Sequence, residues 1–196
     1  MSRKEMQTRT MDAHFSCRED EQGKRIEGYF AVFGDTYELW PGATESVDPH
    51  AFDEALQDDI RVLVDHDTRL VLGRNKAGTA TFRVDDHGLW GSAIINPDDT
   101  DATNAYARNK RGDVTQASFG FDILDEEEER RDDGSVHWTI KKVKLYEVSL
   151  CTFPAYKETE IYARKQDFEN IRKREAQAWK AERMSRLEKM GGNKNA

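Results

Sequence analysis

Apolar and polar residues alternate with a period of two in several short stretches of this chain, the signature of strands with one face buried. The stretches are Met11 to Cys17, Arg25 to Phe33, Ile60 to His66, Val71 to Gly73, Ala77 to Val84, Leu89 to Ile95 and Val114 to Leu124. Val136 to Phe153 reads as one long strand region or a bent pair. A Glu-Gln-Gly-Lys turn precedes Arg25, so the first two stretches form an expected hairpin. Asp35 to Pro49, rich in Gly, Pro, Asp and Thr, reads as an irregular loop. Helical signals are fewer. Asp48 can cap a short helix over His50 to Leu56 with Pro49 at its first position, and Thr100 to Arg111 suits a helix that Gly112 stops. The charge run from Asp125 to Gly134 reads as a solvated hairpin loop. The expected class is α+β and β-rich: a barrel or sandwich with helical insertions over residues 1–164, followed by a charged, helical or disordered tail over 165–196.

Composition narrows the function classes. A 196-residue chain with 37% hydrophobic and 35% charged residues holds one substantial core plus solvated segments. No run approaches the roughly 18 apolar residues of a membrane helix, and the N-terminus lacks the apolar stretch of a secretory signal. Cys17 and Cys151 make no disulfide framework and read as free thiols in a reducing compartment. The net charge of −8 argues against a dedicated nucleic-acid binder. The tail from Lys165 onward carries a basic excess on an acidic body, which suggests a separate job for it.

Three positions depart from a plain core pattern. In Val114 to Leu124, alternation puts Ala117, Phe119, Phe121 and Ile123 on one face, and Ser118 with Gln116, Gly120 and Asp122 on the other. Gly120 there leaves an approachable backbone and room for a substrate chain, although a serine on a polar face is most often just solvated. His66 falls on a face with Ile60, Val62 and Val64, where a partly desolvated imidazole can act as a general base; a structural histidine paired with a carboxylate is the plain alternative. Glu147 shares its expected face with Val143, Leu145, Ser149 and Cys151 and calls for a partner, which His66 could be. Ser149 is a rival nucleophile. A metal at Asp65-His66-Asp67 lacks further ligands, because adjacent strand residues point to opposite faces, so no metal and no cofactor is expected.

Gly28 to Phe33, Val64-Asp-His-Asp67 with Leu72-Gly73, Ala117-Ser-Phe-Gly-Phe121, and Glu147-Val-Ser-Leu150 with Pro154-Ala-Tyr156 follow in that order over roughly residues 8 to 164. The ordered set resembles the tailed-phage prohead maturation proteases, serine peptidases similar in fold to the herpesvirus assemblins, whose β-barrel is surrounded by helices. The resemblance implies Ser118 as nucleophile and His66 as base. Assemblins use a second histidine as third member; His14, His50, His87 and His137 lie in no such motif, whereas Glu147 does. The oxyanion donors would be N–H groups near Phe119 and Gly120, with Arg108 or Arg111 assisting. It further implies cleavage of the scaffold region of the major capsid protein, and of the protease itself, inside the procapsid in the host cytoplasm. Its partners would be the major capsid protein with its scaffold, a second copy of the chain and the portal, with no membrane and no specific nucleic acid. The other classes are a non-catalytic assembly module of the same fold and an unrelated β-rich domain.

Overall fold

The computed structural model describes residues 6–21 and 23–153, and beyond them residues 165, 168, 169, 173, 176–184 and 186. The chain divides into two compact units, Met1–Ala155 and Tyr156–Ala196. The sequence expectation of a boundary at 164/165 falls outside the described residues. In the second unit the described residues are helical, and residues 176–184 form a continuous stretch with Trp179 and Met184 exposed.

The first unit is built on two sheets. The larger contains β1 (Gln7–Asp12), β10 (Gln116–Arg130), β11 (Val136–Cys151), β5 (Ala43–Val47) and β4 (Thr36–Trp40) in that spatial order. Beyond β5, residues Glu147 to Leu150 of β11 pair with β6 (Arg61–Val64), which forms a hairpin with β7 (Asp67–Arg74). The smaller sheet runs β2 (Ser16–Asp20), β3 (Gly23–Val32), β9 (Gly88–Ile94), β8 (Ala80–Val84). Phe30, Ile26, Leu89 and Ala93 from the smaller sheet join Phe119, Phe121, Leu145, Val148 and Leu150 from the larger in one core. Phe52 stands edge-on to Phe119 with centroids 5.5 Å apart, and Phe119 stacks on Phe121 at 4.7 Å. Each such fully buried side chain contributes on the order of 2 kcal/mol.

The single α-helix described in this unit, α1 (Thr100–Arg111), has the expected limits. The Asp99 carboxylate caps it by accepting from the N–H groups of Asp101 and Ala102, and Gly112 ends it at φ 87°. Its Ala102, Ala105 and Tyr106 are buried.

The β-rich α+β class is therefore what the chain adopts, in two sheets that close no barrel among the described residues. Three local expectations change. Met11 to Cys17 is split between β1 and β2, which belong to different sheets. The expected loop from Asp35 to Pro49 holds the β4–β5 hairpin, turning at Pro41-Gly42 with Gly42 at φ 84°. Its pattern was hidden because Glu45, at 0% exposure, occupies a core position, where it forms a bidentate ion pair with Arg9 of β1. The expected helix from His50 to Leu56 is a series of turns ending in a 3-10 segment, Ala55–Gln57, because Asp48 accepts from His50 N in a tight local turn. The charge run is exposed as expected, but it extends the β10–β11 ladder up to Arg130 paired with Val136.

Candidate active site

β10 lies between β1 and β11, and its residues form cross-strand pairs on both sides: Thr10, Ser118 and Ser149 stand in one row, and Thr8, Gly120 and Glu147 in the next. The register then slips. Gly120 faces Glu147 but Phe121 faces Leu145, so Tyr146 is an extra residue, a β-bulge. A bulge reverses which face later residues occupy. Leu145, Val148 and Leu150 therefore all lie in the core, while Glu147, Ser149 and Cys151 point to the opposite face with Ser118. This corrects the sequence expectation that Leu145 and Glu147 share a face: Glu147 is no intruder among core residues but belongs to a separate polar row.

His66 arrives from a different direction than alternation implied. β6 stops at Val64, which pairs with Asp67, and Asp65-His66 form the two-residue turn between β6 and β7. Both have positive φ, 50° and 59°, the signature of hairpin turns whose twist matches their strands. Asp and His tolerate this region better than most residues but still need support. The Asp65 carboxylate supplies it by accepting from Thr152 N at 2.7 Å and Thr152 Oγ1 at 2.9 Å, just past the end of β11. Asp65 N donates to Leu150 O, and His66 N donates to Ser149 Oγ at 3.2 Å. The turn is thereby held over the polar row of β11.

There the imidazole Nδ1 meets Glu147 Oε1 at 2.7 Å. The other carboxylate oxygen accepts from Ser149 Oγ at 2.5 Å. The Glu147 side chain is 4% exposed and that of His66 21%, so a nearly buried anion is matched by two donors, as desolvation demands. Gly120 makes this possible: a Cβ there would stand 2.2 Å from Glu147 Oε1 and 2.9 Å from the Met6 thioether. The space beside Ser118 is thus filled by the carboxylate and by Met6, which replaces the expectation of open room for a substrate.

With Glu147 fixing the proton on Nδ1, Nε2 presents its lone pair. Its neighbour is Cys151 Sγ at 3.8 Å. Burial pushes the Cys151 thiol up to about 12, with the Asp65 and Glu147 carboxylates adding to the shift, so it stays protonated at neutral pH. Ser149 has its hydrogen committed to Glu147 and also accepts from His66 N. Ser118 is different. It is 0% exposed, and its Oγ has no hydrogen-bond partner among the described residues. A buried hydroxyl left so costs roughly 1–3 kcal/mol, which marks a site with a use for it.

Of the other histidines, His14 is exposed between β1 and β2. His137 bridges Thr44 and Ser46, His50 faces Asp53, and His87 packs on Tyr29. Of the expected oxyanion donors, Arg108 is exposed on α1. Phe119 and Gly120 lie where β10 is paired on both edges, and the Arg111 guanidinium is taken by Asp113. Cys151, which alternation already put on the face of Glu147, and Asp65, weighed only as a metal ligand, are the neighbours to which sequence reasoning assigned no part in this site.

The family model for the caudovirus prohead serine protease matches residues 12–174. The chain belongs to the caudovirus prohead serine protease family. The matched span takes in His66, Ser118, Glu147, Ser149 and Cys151, so the whole polar row lies within the part shared with this family of serine peptidases. No curated protein and no solved structure matches the chain. No described helix is long and apolar enough to cross a membrane.

Proposed function

We propose that the chain is a serine endopeptidase in which Ser118 is the nucleophile, His66 the general base and Glu147 the group that orients the imidazole. The observation that carries this is the 2.7 Å contact of Glu147 with His66 Nδ1 on the same sheet face as a buried, unpartnered Ser118 hydroxyl. Its two rivals on that face are disfavoured, Ser149 by its commitment to Glu147 and Cys151 by its raised thiol pKa. His66 takes the Ser118 proton as Oγ attacks the scissile carbonyl and returns it to the leaving amine; water then hydrolyses the acyl-enzyme with the same base. Glu147 stabilises the imidazolium formed in each half. This chemistry needs no cofactor.

The family supports a substrate inside the immature phage shell. We take it to be the scaffold region of the major capsid protein, and the protease itself, cleaved in the procapsid within the host cytoplasm. Association with a second copy or with the portal belongs to the same reading, as does an assemblin-like origin of the two-sheet body. A non-catalytic assembly module of the same fold is the competing reading, and a covalent probe separates the two. A fluorophosphonate is expected to add one phosphonyl group to the parent and to Ser149→Ala at Ser118, and none to Ser118→Ala. Absence of the adduct from the parent, or its persistence in Ser118→Ala, contradicts the assignment.

A further inference from the structure

A general base is useful only when its free nitrogen faces the nucleophile, and in this structure it does not. His66 Nε2 stands 3.8 Å from Cys151 Sγ, while Ser118 Oγ has no hydrogen-bond partner among the described residues. The two facts are complementary. Cys151 pairs with Gln116 across the ladder, the row next to the one shared by Ser118 and Ser149, and it projects from the same face. The residue is held at three points: its backbone N–H donates to Ser149 Oγ, and its ring has Nδ1 on Glu147 and Nε2 at the thiol.

We infer that Cys151 is a positioning residue that holds His66 in a resting orientation, its thiol occupying the nitrogen that must otherwise receive the Ser118 proton. The inference rests on the peptidase reading and concerns regulation of that same site. The thiol is suited to this task. It is 1% exposed and stays protonated, so its one hydrogen has two acceptors in reach, Nε2 at 3.8 Å and Ser149 O at 3.9 Å, and it does not form a thiolate that would compete as nucleophile. An S–H donor is weak, so a modest rearrangement suffices to release the ring. The Nδ1–Glu147 contact is the pivot, and the exchange of partner at Nε2 from Sγ to Oγ brings the buried hydroxyl into use. Ser149 cannot take the thiol's place, because its own hydrogen lies on Glu147.

The test follows the rate at which a fluorophosphonate labels Ser118 in the full chain, together with the 15N resonance of His66 Nε2. Cys151→Ala and the somewhat bulkier Cys151→Val both remove the donor, and the second keeps the space filled if the first folds poorly. Both are expected to label about two- to fivefold faster than the parent, the worth of one weak hydrogen bond, with a displaced Nε2 resonance. Cys151→Ser keeps a donor and is expected to fall nearer the parent. Cys17→Ala removes the chain's other thiol and is expected to change neither readout. Unchanged or slower labelling of both donor-free variants, with the parent labelled at Ser118, overturns the latch and leaves the peptidase reading intact. No labelling at Ser118 in any variant, parent included, overturns the peptidase reading and the latch with it.

Discussion

At the scale of single residues, the site is a chain of dependencies on Glu147. Its carboxylate fixes the His66 tautomer and ties down Ser149, and it has room only because position 120 carries no side chain. Glu147→Gln keeps the size and removes the charge that stabilises the imidazolium. It is expected to lower kcat by roughly 100- to 10,000-fold and to cost about 1–3 kcal/mol of stability, because the amide NH2 meets one of the two donors that the carboxylate accepts from. Gly120→Ala acts through the same group, because the new methyl needs the place of Glu147 Oε1. Its expected effect is a comparable loss of kcat and about 1–3 kcal/mol of stability, read by denaturant unfolding. Wild-type stability and activity in Gly120→Ala would contradict the geometry beside Ser118.

At the scale of elements, two features carry the site: the Asp65-His66 turn and the bulge at Tyr146. The turn requires residues that accept positive φ and a carboxylate that ties it to Thr152. Asp65→Ala removes both supports and is expected to cost about 1–3 kcal/mol and to reduce activity by displacing His66. Asp65→Asn, which keeps an acceptor and tolerates the left-handed region, is expected to recover much of both in unfolding and turnover measurements. These features explain where the sequence could be read and where it could not. α1 was legible to the residue because Asp99 and Gly112 are local signals, and the face of Ser118 was legible because β10 alternates without interruption up to Phe121. Glu147 was identified as a partner for His66 although its face was misassigned, since a bulge is a property of the pairing between strands and leaves no mark on one strand's pattern. His66 was carried one turn too far along β6 for the related reason that a two-residue hairpin without glycine resembles continued strand. The β4–β5 hairpin was lost because the partner of Glu45, Arg9, lies in another element.

At the scale of the whole molecule, charge pairing links distant parts of the first unit and sets its response to acid. Asp48, just past β5, is held below the usual carboxylate range chiefly by the hydrogen bond from Lys141 of β11, and Asp59 is held at about 2 chiefly by Arg74 of β7. A carboxyl with a lowered native pKa binds fewer protons folded than unfolded. Its contribution is therefore complete above the ordinary carboxylate pKa and disappears as the pH falls through the native value. The thermal midpoint is expected to fall from about pH 4 downward, and Lys141→Met to flatten the Asp48 part of that decline in a calorimetric series. The function proposed for the molecule rests on one hydroxyl within this frame, and the most direct test is to incubate the parent and Ser118→Ala with the major capsid protein and follow intact masses over time. Defined fragments from the parent and none from Ser118→Ala are the expected result. The same fragments from both would contradict the assignment of Ser118 as the nucleophile.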